Sequence, residues 1–448
     1  MAVETIAGQI RKLKVFQPQT RRNVMNNKYK VLKGARLIDG VSNDPVENAV
    51  LVIKGEKIEA VGKADTVSIP QGAEVIDTTG KTIMPGLIDA HVHFAGLKSM
   101  GQLSWFMDDP LVHGMRGVID AWKTIDAGFT TVRDAGGVFA LHLKTVINEG
   151  GCVGPRIVAA GRLITQTGGH GDHIHSLPVD FVVPRIGVAR IADGVAEVRK
   201  AAREQIREGA DFLKIMTTGG VMSERDVSTS SQYSIDEIRA FVEEAENVGV
   251  RTSSHAQGTI GIKNALIGGV KVIEHGTFLD DDCIDLMVTN NHYLVPTLAI
   301  VEAIVLHGAE AGVLSSSINK AKIAQKAVLE SFKRAYKAGV LCGLGTDYLS
   351  DPMSPLGANA VELELYVKKA GLSPMETIIC ATKNNAEILD MIDKIGTLEP
   401  GKLADVIIVD GDPLKDITVL SDRKNIIKVY KGGTEVPRLE ATFLRSGV

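Results

Sequence analysis

The sequence predicts an α/β chain: a closed parallel (β/α)8 TIM barrel carrying a small composite β-sandwich built from segments before and after it. Three observations predict this. Turn-punctuated short strands lead up to Met84-Pro85-Gly86, eight β-rich runs then alternate with helical patterns, and short strands resume near the end of the chain. The implied boundaries are an extension over 1–28, a first β-segment over 29–85, the barrel over 86–389 and a second β-segment over 390–448.

The first 28 residues carry Arg11, Lys12, Lys14, Arg21, Arg22 and Lys28 but no apolar core followed by a cleavage site, which argues against a secretory signal. Two readings stay open for them: a cleaved organelle presequence, or a plain disordered or oligomer-contacting extension. Strands are expected at Tyr29 to Lys33, Ala49 to Ile53, Lys57 to Val61 and Ala73 to Asp77, separated by Asp39-Gly40, Lys54-Gly55 and Thr79-Gly80. The eight barrel strands are expected at Leu87 to His93, Phe129 to Asp134, Arg156 to Gly161, Asp211 to Met216, Arg251 to His255, Lys271 to His275, His292 to Thr297 and Leu341 to Asp347. Between them, Asp193 to Glu208, Ile235 to Val248 and Ile318 to Ala338 place apolar residues at three- and four-residue steps among charges, as amphipathic helices do. A helical segment follows Ser373-Pro374 and runs to about Leu389, after which strands return at Ala404 to Val409 and Ile426 to Tyr430.

Composition narrows the function classes. The chain has 448 residues, 44% hydrophobic and 23% charged, enough to bury a large core. A formal net charge of -4 supplies no basic field for nucleic acid, and no apolar run reaches the roughly 18 residues a membrane span needs. Cys152, Cys283, Cys342 and Cys380 are widely spaced and form no Cys-x-x-Cys pair, so a reducing, cytoplasmic setting is expected.

Chemistry gathers at the strand ends. His91 and His93 are one residue apart at the end of an apolar run, so strand alternation sends both to one face, where they can grip one ion. Lys214, His255, His275 and Asp347 end strands four, five, six and eight, and in a barrel all would face one mouth. Packing alone rarely places such residues there, because unpaired polar and charged groups are costly to bury. A lysine ammonium has no lone pair for a metal. Lys214 is therefore either modified or ion-paired with a buried acid such as Asp134. Asp134 itself would otherwise orient a ligand or neighbouring backbone.

This set resembles the binuclear amidohydrolase superfamily. Thr165-Gln166-Thr167-Gly168-Gly169-His170-Gly171-Asp172, Lys214-Ile215-Met216, Gln232-Tyr233-Ser234 and Gly343-Leu344-Gly345-Thr346-Asp347 look like its metal-dependent prolidase (Xaa-Pro dipeptidase) and ochratoxinase-like group. The resemblance implies two divalent ions, zinc being the expected metal. His91, His93 and Asp347 would hold one ion, His255 and His275 the other, and Lys214, carbamylated by carbon dioxide, would bridge them. It further implies a bridging hydroxide that attacks an amide carbonyl, with Asp347 taking the proton and returning it to the leaving nitrogen. Tyr233 is a candidate oxyanion donor or a surface loop residue, and His170 a candidate substrate contact. His173 and His175 are weaker candidates, and His113, His142, His292 and His307 are read as structural or surface. One departure stands out. Relatives of this type carry a histidine two residues after the strand-five ligand, where this chain has Gln257, which can hydrogen-bond but cannot act as acid or base.

The expected activity is hydrolysis of the amide bond of small carboxylate-terminated substrates: Xaa-Pro or other dipeptides, or N-acyl amino acids. A cyclic-amide hydrolase resembling imidazolonepropionase, and an inactive barrel used for binding, are the alternatives. The partner is expected to be a small molecule, and the chain is expected to form a homo-oligomer, as its relatives do.

Overall fold

The computed structural model describes residues 29–101, 108–172, 175 and 188–439. The extension over 1–28, and His173, lie outside them. Strands on both sides of the central segment share one mixed eight-stranded sheet. It is built from β1 (Tyr29–Leu37), β2 (Val46–Lys54), β3 (Lys57–Lys63), β4 (Glu74–Asp77) and β5 (Thr82–Pro85), joined by late strands described below. Alternating apolar residues Leu32, Leu37, Leu51, Ile53 and Ile83 are buried against Val406, Ile408 and Tyr430, which is what holds the two chain segments together.

The central segment is a run of parallel strands. β6 (Leu87–Val92), β7 (Phe129–Asp134) and β8 (Arg156–Ala159) form one parallel sheet. A second sheet contains β9 (Leu163–Thr165), β10 (Ala189–Ile191), β11 (Phe212–Met216), β12 (Arg251–Ala256), β13 (Val272–His275), β14 (Tyr293–Val295) and β15 (Leu341–Cys342), in the order β10-β9-β11-β12-β13-β14-β15. Two seams join the sheets. Asp211 N donates to Ala159 O at 2.8 Å on one side, and on the other Ala90 N donates to Leu344 O at 2.9 Å and Asp347 N to His91 O at 2.7 Å. The strands are buried along nearly their whole length, because helices Gly194–Glu208, Ile235–Glu246 and Ser315–Lys337 cover their outer face. The last strands, β16 (Val406–Val409), β17 (Ile426–Lys431) and β18 (Thr434–Glu435), return to the first sheet, where β16 lies antiparallel to β5 with Val406 opposite Pro85.

All eight expected parallel runs are strands, with ends that differ. Strand eight was expected to reach Asp347 but ladders only over Leu341–Cys342. Beyond it Gly343 and Gly345 press against neighbours: a Cβ on Gly345 would sit 2.8 Å from the Cβ of His91, so the chain leaves regular pairing to pack closely. β5, β9, β10 and β18 are additional to the expected set. Among the described residues no helix is long and apolar enough to cross a membrane, and all four cysteines are free thiols.

Candidate metal centre

β6 delivers His91 and His93 to one face, as alternation requires, and their ring centroids are 5.3 Å apart. The C-terminal ends of neighbouring strands add the rest. The His91 ring is 5.2 Å from that of His275, the His275 ring 4.5 Å from that of His255, and Asp347 Oδ1 lies 3.4 Å from His91 Nε2 and 3.2 Å from His93 Nε2. Donor atoms of His91, His275 and Asp347 come within 4.8 Å of one another, close enough to share an ion.

Each imidazole is turned by a partner on its far nitrogen. His91 Nδ1 donates to Glu274 Oε2 (2.8 Å), His93 Nδ1 to Gly136 O (2.8 Å), and His275 Nδ1 pairs with Thr297 Oγ1 (2.7 Å). These bonds leave Nε2 as the atom that could ligate. His255 is the reverse, since its Nε2 lies 3.2 Å from Gly219 O, which leaves Nδ1 as the atom that could ligate. Burial holds His255 well below the usual histidine range and His275 at about 3, so both are neutral and able to bind a cation. Burial alone would raise the Asp347 carboxyl, but the imidazoles of His91, His93 and His275 outweigh it and hold it below the usual carboxylate range.

Lys214 sits in the middle of this cluster, 2% exposed, with no hydrogen-bond partner for Nζ among the described residues. The acid facing it is Glu274, 4.0 Å away, and not Asp134. Asp134 accepts from Phe94 N (2.8 Å) and Gly136 N (3.1 Å), and so fixes the Gly136 carbonyl that orients His93. Burial pushes the Lys214 ammonium down to about 8, with Arg133 adding to the effect against the pull of Glu274.

Three buried groups around the cluster were not anticipated. Glu274 is fully buried and accepts from His91, Arg133 Nη2 and Ser253 Oγ; the charges of Arg133, Lys214 and His91 outweigh its burial and keep it ionised. Asp89 accepts from His91 N (3.0 Å), Thr346 N (3.1 Å), Thr346 Oγ1 (2.8 Å) and Asn359 Nδ2 (2.7 Å), tying β6 to the Asp347 loop. Glu362 accepts from Leu298 N and Ala299 N at the start of helix Leu298–His307, beside Thr297, which holds His275. The sequence signal for Asp89 and Glu274 was a charged residue inside an apolar strand run, as in Val272-Ile273-Glu274-His275, whereas Glu362 lies on the helix Val361–Leu365 and had no such signal. Backbone strain marks the same place: His275, Thr297 and Asp347 all adopt positive φ (70°, 52° and 58°). Such conformations cost of order 1–3 kcal/mol each and persist where the surrounding structure over-determines them.

His170 joins the cluster. Its ring stacks on that of His255 at 4.1 Å and 25°. Tyr233 does not, because its hydroxyl donates to Ala192 O at 2.8 Å and its backbone N to Gln166 Oε1. His175 bonds Gly169 O and Arg225 N within the loops, while His113 and His292 bond backbone carbonyls as structural residues. Gln257 is 5% exposed, its backbone N donates to Thr218 Oγ1, and its side-chain Oε1 has no partner among the described residues.

Residues 82–436 match the Amidohydrolase family. The chain belongs to that family. Ochratoxinase from Aspergillus niger is 34% identical over 426 residues, spanning 91% of this chain and 86% of that protein. A solved Xaa-Pro dipeptidase with methionine bound in its active site superposes with a TM-score of 0.83 at 34% identity, covering 91% of this chain and 99% of the other. A prolidase solved with N-methylphosphonate-L-proline gives 0.85 at 35% identity, covering 92% of this chain and all of the other. The chain is thus an amidohydrolase of the prolidase and ochratoxinase-like group, an enzyme that hydrolyses C–N bonds of the amide type. Its family is generally metal-dependent, and His91, His275 and Asp347 form a group that could hold a metal ion.

Proposed function

We propose that this amidohydrolase cleaves the amide bond of small carboxylate-terminated substrates, dipeptides including Xaa-Pro and N-acyl amino acids, at a centre of two divalent ions, zinc being the metal we favour. The substrate class rests on the names of the similar solved enzymes, a Xaa-Pro dipeptidase and a prolidase bound to a proline phosphonate. The observation that carries the two-ion reading is the amine of Lys214, buried without a hydrogen-bond partner among the described residues, with the Glu274 carboxylate 4.0 Å away. An amine brought down to about 8 is partly neutral near physiological pH, the form that adds carbon dioxide. The resulting carbamate oxygens would accept cations where an ammonium repels them. In this reading the joined parallel strands close as a (β/α)8 barrel, with every ligand at its C-terminal mouth.

His91, His93 and Asp347 would hold one ion, His255 and His275 the other, and carbamylated Lys214 both. When bound, the ions supply Lewis acidity to the substrate carbonyl and bring the pKa of water toward neutrality. The chain's own residues do the rest. Asp347, ionised and flanked by imidazoles, accepts a proton on a carboxylate oxygen and returns it to the leaving nitrogen, which departs poorly as an anion. His170 contacts the substrate from its position against His255. The test is amine release from a library of dipeptides and N-acyl amino acids by zinc-loaded and chelated protein. Chelator-sensitive cleavage is expected, with the favoured leaving residue read from the rank order. Protein that binds two metal ions per chain and cuts nothing in the library would overturn the substrate class.

A further inference from the structure

His170 lies in a cradle made by a distant helix. The loop after β11, Thr217 to Gln232, folds across the cluster, and Gly220 passes so close beneath the imidazole that a Cβ there would overlap the ring. The ring is therefore held between Gly220 and the face of His255. Its Nδ1 lies 2.8 Å from Ser223 Oγ. Ser223 Oγ in turn donates to Asp226 Oδ1, and Asp226 Oδ2 is 3.8 Å from the same Nδ1. A hydroxyl that gives its proton to a carboxylate can only accept from its other neighbour, so the neutral imidazole carries its proton on Nδ1.

The two ends of the loop are pinned by a bridge between Thr218 and Ser231, with Gly219 N donating to Ser230 O at 3.1 Å. Its middle is tied down by Lys320, on helix Ser315–Lys337, about 100 residues away in the sequence. Its ammonium donates to three backbone carbonyls of this one loop, Gly220 (3.1 Å), Ser223 (2.7 Å) and Asp226 (2.7 Å), and lies 3.4 Å from Asp226 Oδ1. Three donors matched to three converging carbonyls satisfy an ammonium completely. A single side chain thus fixes the glycine under the ring, the serine beside it and the aspartate behind that serine.

We propose that Lys320, acting through Asp226 and Ser223, is a positioning residue that holds His170 against the metal-ligand cluster in its Nδ1–H form. The proposal rests on the reading of this cluster as the catalytic centre. The same loop carries Gly219 O, the partner of His255 Nε2, so metal content must be measured alongside activity.

The test is a double-mutant cycle on zinc-loaded protein: Lys320→Met in the wild-type background and in His170→Ala, with metal content measured for each. Partners of this kind are typically worth about 10- to 100-fold, and a loss of that size, falling on kcat more than on KM, is expected for Lys320→Met at unchanged metal content. In His170→Ala the same substitution should cost little more, because its target is gone. Equal losses in both backgrounds, or a loss that follows metal release, overturn the proposal. A second readout needs no turnover. In 15N-histidine spectra of zinc-loaded protein, with His170 assigned by the signal missing from His170→Asn, the ring should show the Nδ1–H pattern, and that pattern should be lost in Ser223→Ala and in Lys320→Met. An Nε2–H pattern in the wild type, or one unchanged in both variants, refutes the proposal. If the wild-type enzyme cleaves no amide, the proposed function falls, and the spectra still decide the question for Lys320.

Discussion

Glu274→Gln is the substitution whose cost follows most directly from the structure. The carboxylate is fully buried and serves four cationic or donor groups: Arg133 Nη2, His91 Nδ1 at 2.8 Å, Ser253 Oγ, and Lys214 Nζ at 4.0 Å. An amide keeps the volume and removes the charge. It also presents an NH2 to donors, so at least one of them loses its acceptor, and the guanidinium of Arg133, 2% exposed, is left without a counter-charge. Breaking a buried pair from one side costs about 3–5 kcal/mol. For a cooperative unit of roughly 300 residues, at about 2.1 cal/mol/K per residue, this lowers Tm by about 5–8 °C. Calorimetry in the presence of chelator measures it without any contribution from bound metal. Arg133→Met combined with Glu274→Gln should recover much of the loss, since the stranded charge is then gone. A single variant that melts with the wild-type protein would show that the charge on Glu274 is not what the surrounding cations require, and the account of the cluster would fail.

Four other outcomes are expected. Lys214→Ala should lose metal and activity together, and full activity with two ions bound would exclude the bridge. In the unmodified protein the Lys214 pKa lies below its ordinary 10.5, at about 8, so the folded chain sheds a proton that the unfolded chain keeps. Stability in chelator should therefore rise with pH between those values, and reconstitution by zinc at fixed dissolved carbon dioxide should speed up as pH rises through about 8; a flat profile contradicts it. Asp347→Asn should bind substrate yet turn over about 10²- to 10⁴-fold more slowly, read by steady-state kinetics, and unchanged turnover would remove it from the mechanism. Tyr233→Phe should cost about 1 kcal/mol of stability through the lost bond to Ala192 with turnover little changed, whereas a drop of order 10²-fold would return its hydroxyl to the developing oxyanion.

The parallel strands were legible where aromatic and β-branched residues cluster between turn signals. Phe129–Asp134, with Phe129, Thr130, Thr131 and Val132 after Gly128, was read to the residue. Leu163–Thr165 and Ala189–Ile191 escaped because three residues carry too little pattern, and Thr82–Pro85 because it is a short strand ending in proline, with one of its two partners near the other end of the chain. The residues proposed as ligands stood out for a chemical reason: histidine, lysine and aspartate at the ends of apolar runs are anomalous unless they have work to do. Their supports stood out less. Asp89 shares strand parity with His91 and could have been found by it, as Glu274 could by its place inside a buried run. Ser223, Asp226 and Lys320 sit in polar segments where such residues are ordinary, and only the fold brings them to His170.

The pairing of β5 with β16 sets a schedule for synthesis. Pro85 and Val406 are separated by roughly 320 residues, about 16–64 s of translation at 5–20 residues per second. Throughout that interval the edge at Thr82–Pro85 has been made and its partner has not, leaving unpaired backbone groups next to the apolar Ile83 and Met84. A nascent chain stalled before Val406 would expose an adhesive edge, so a strand made late seals one made early.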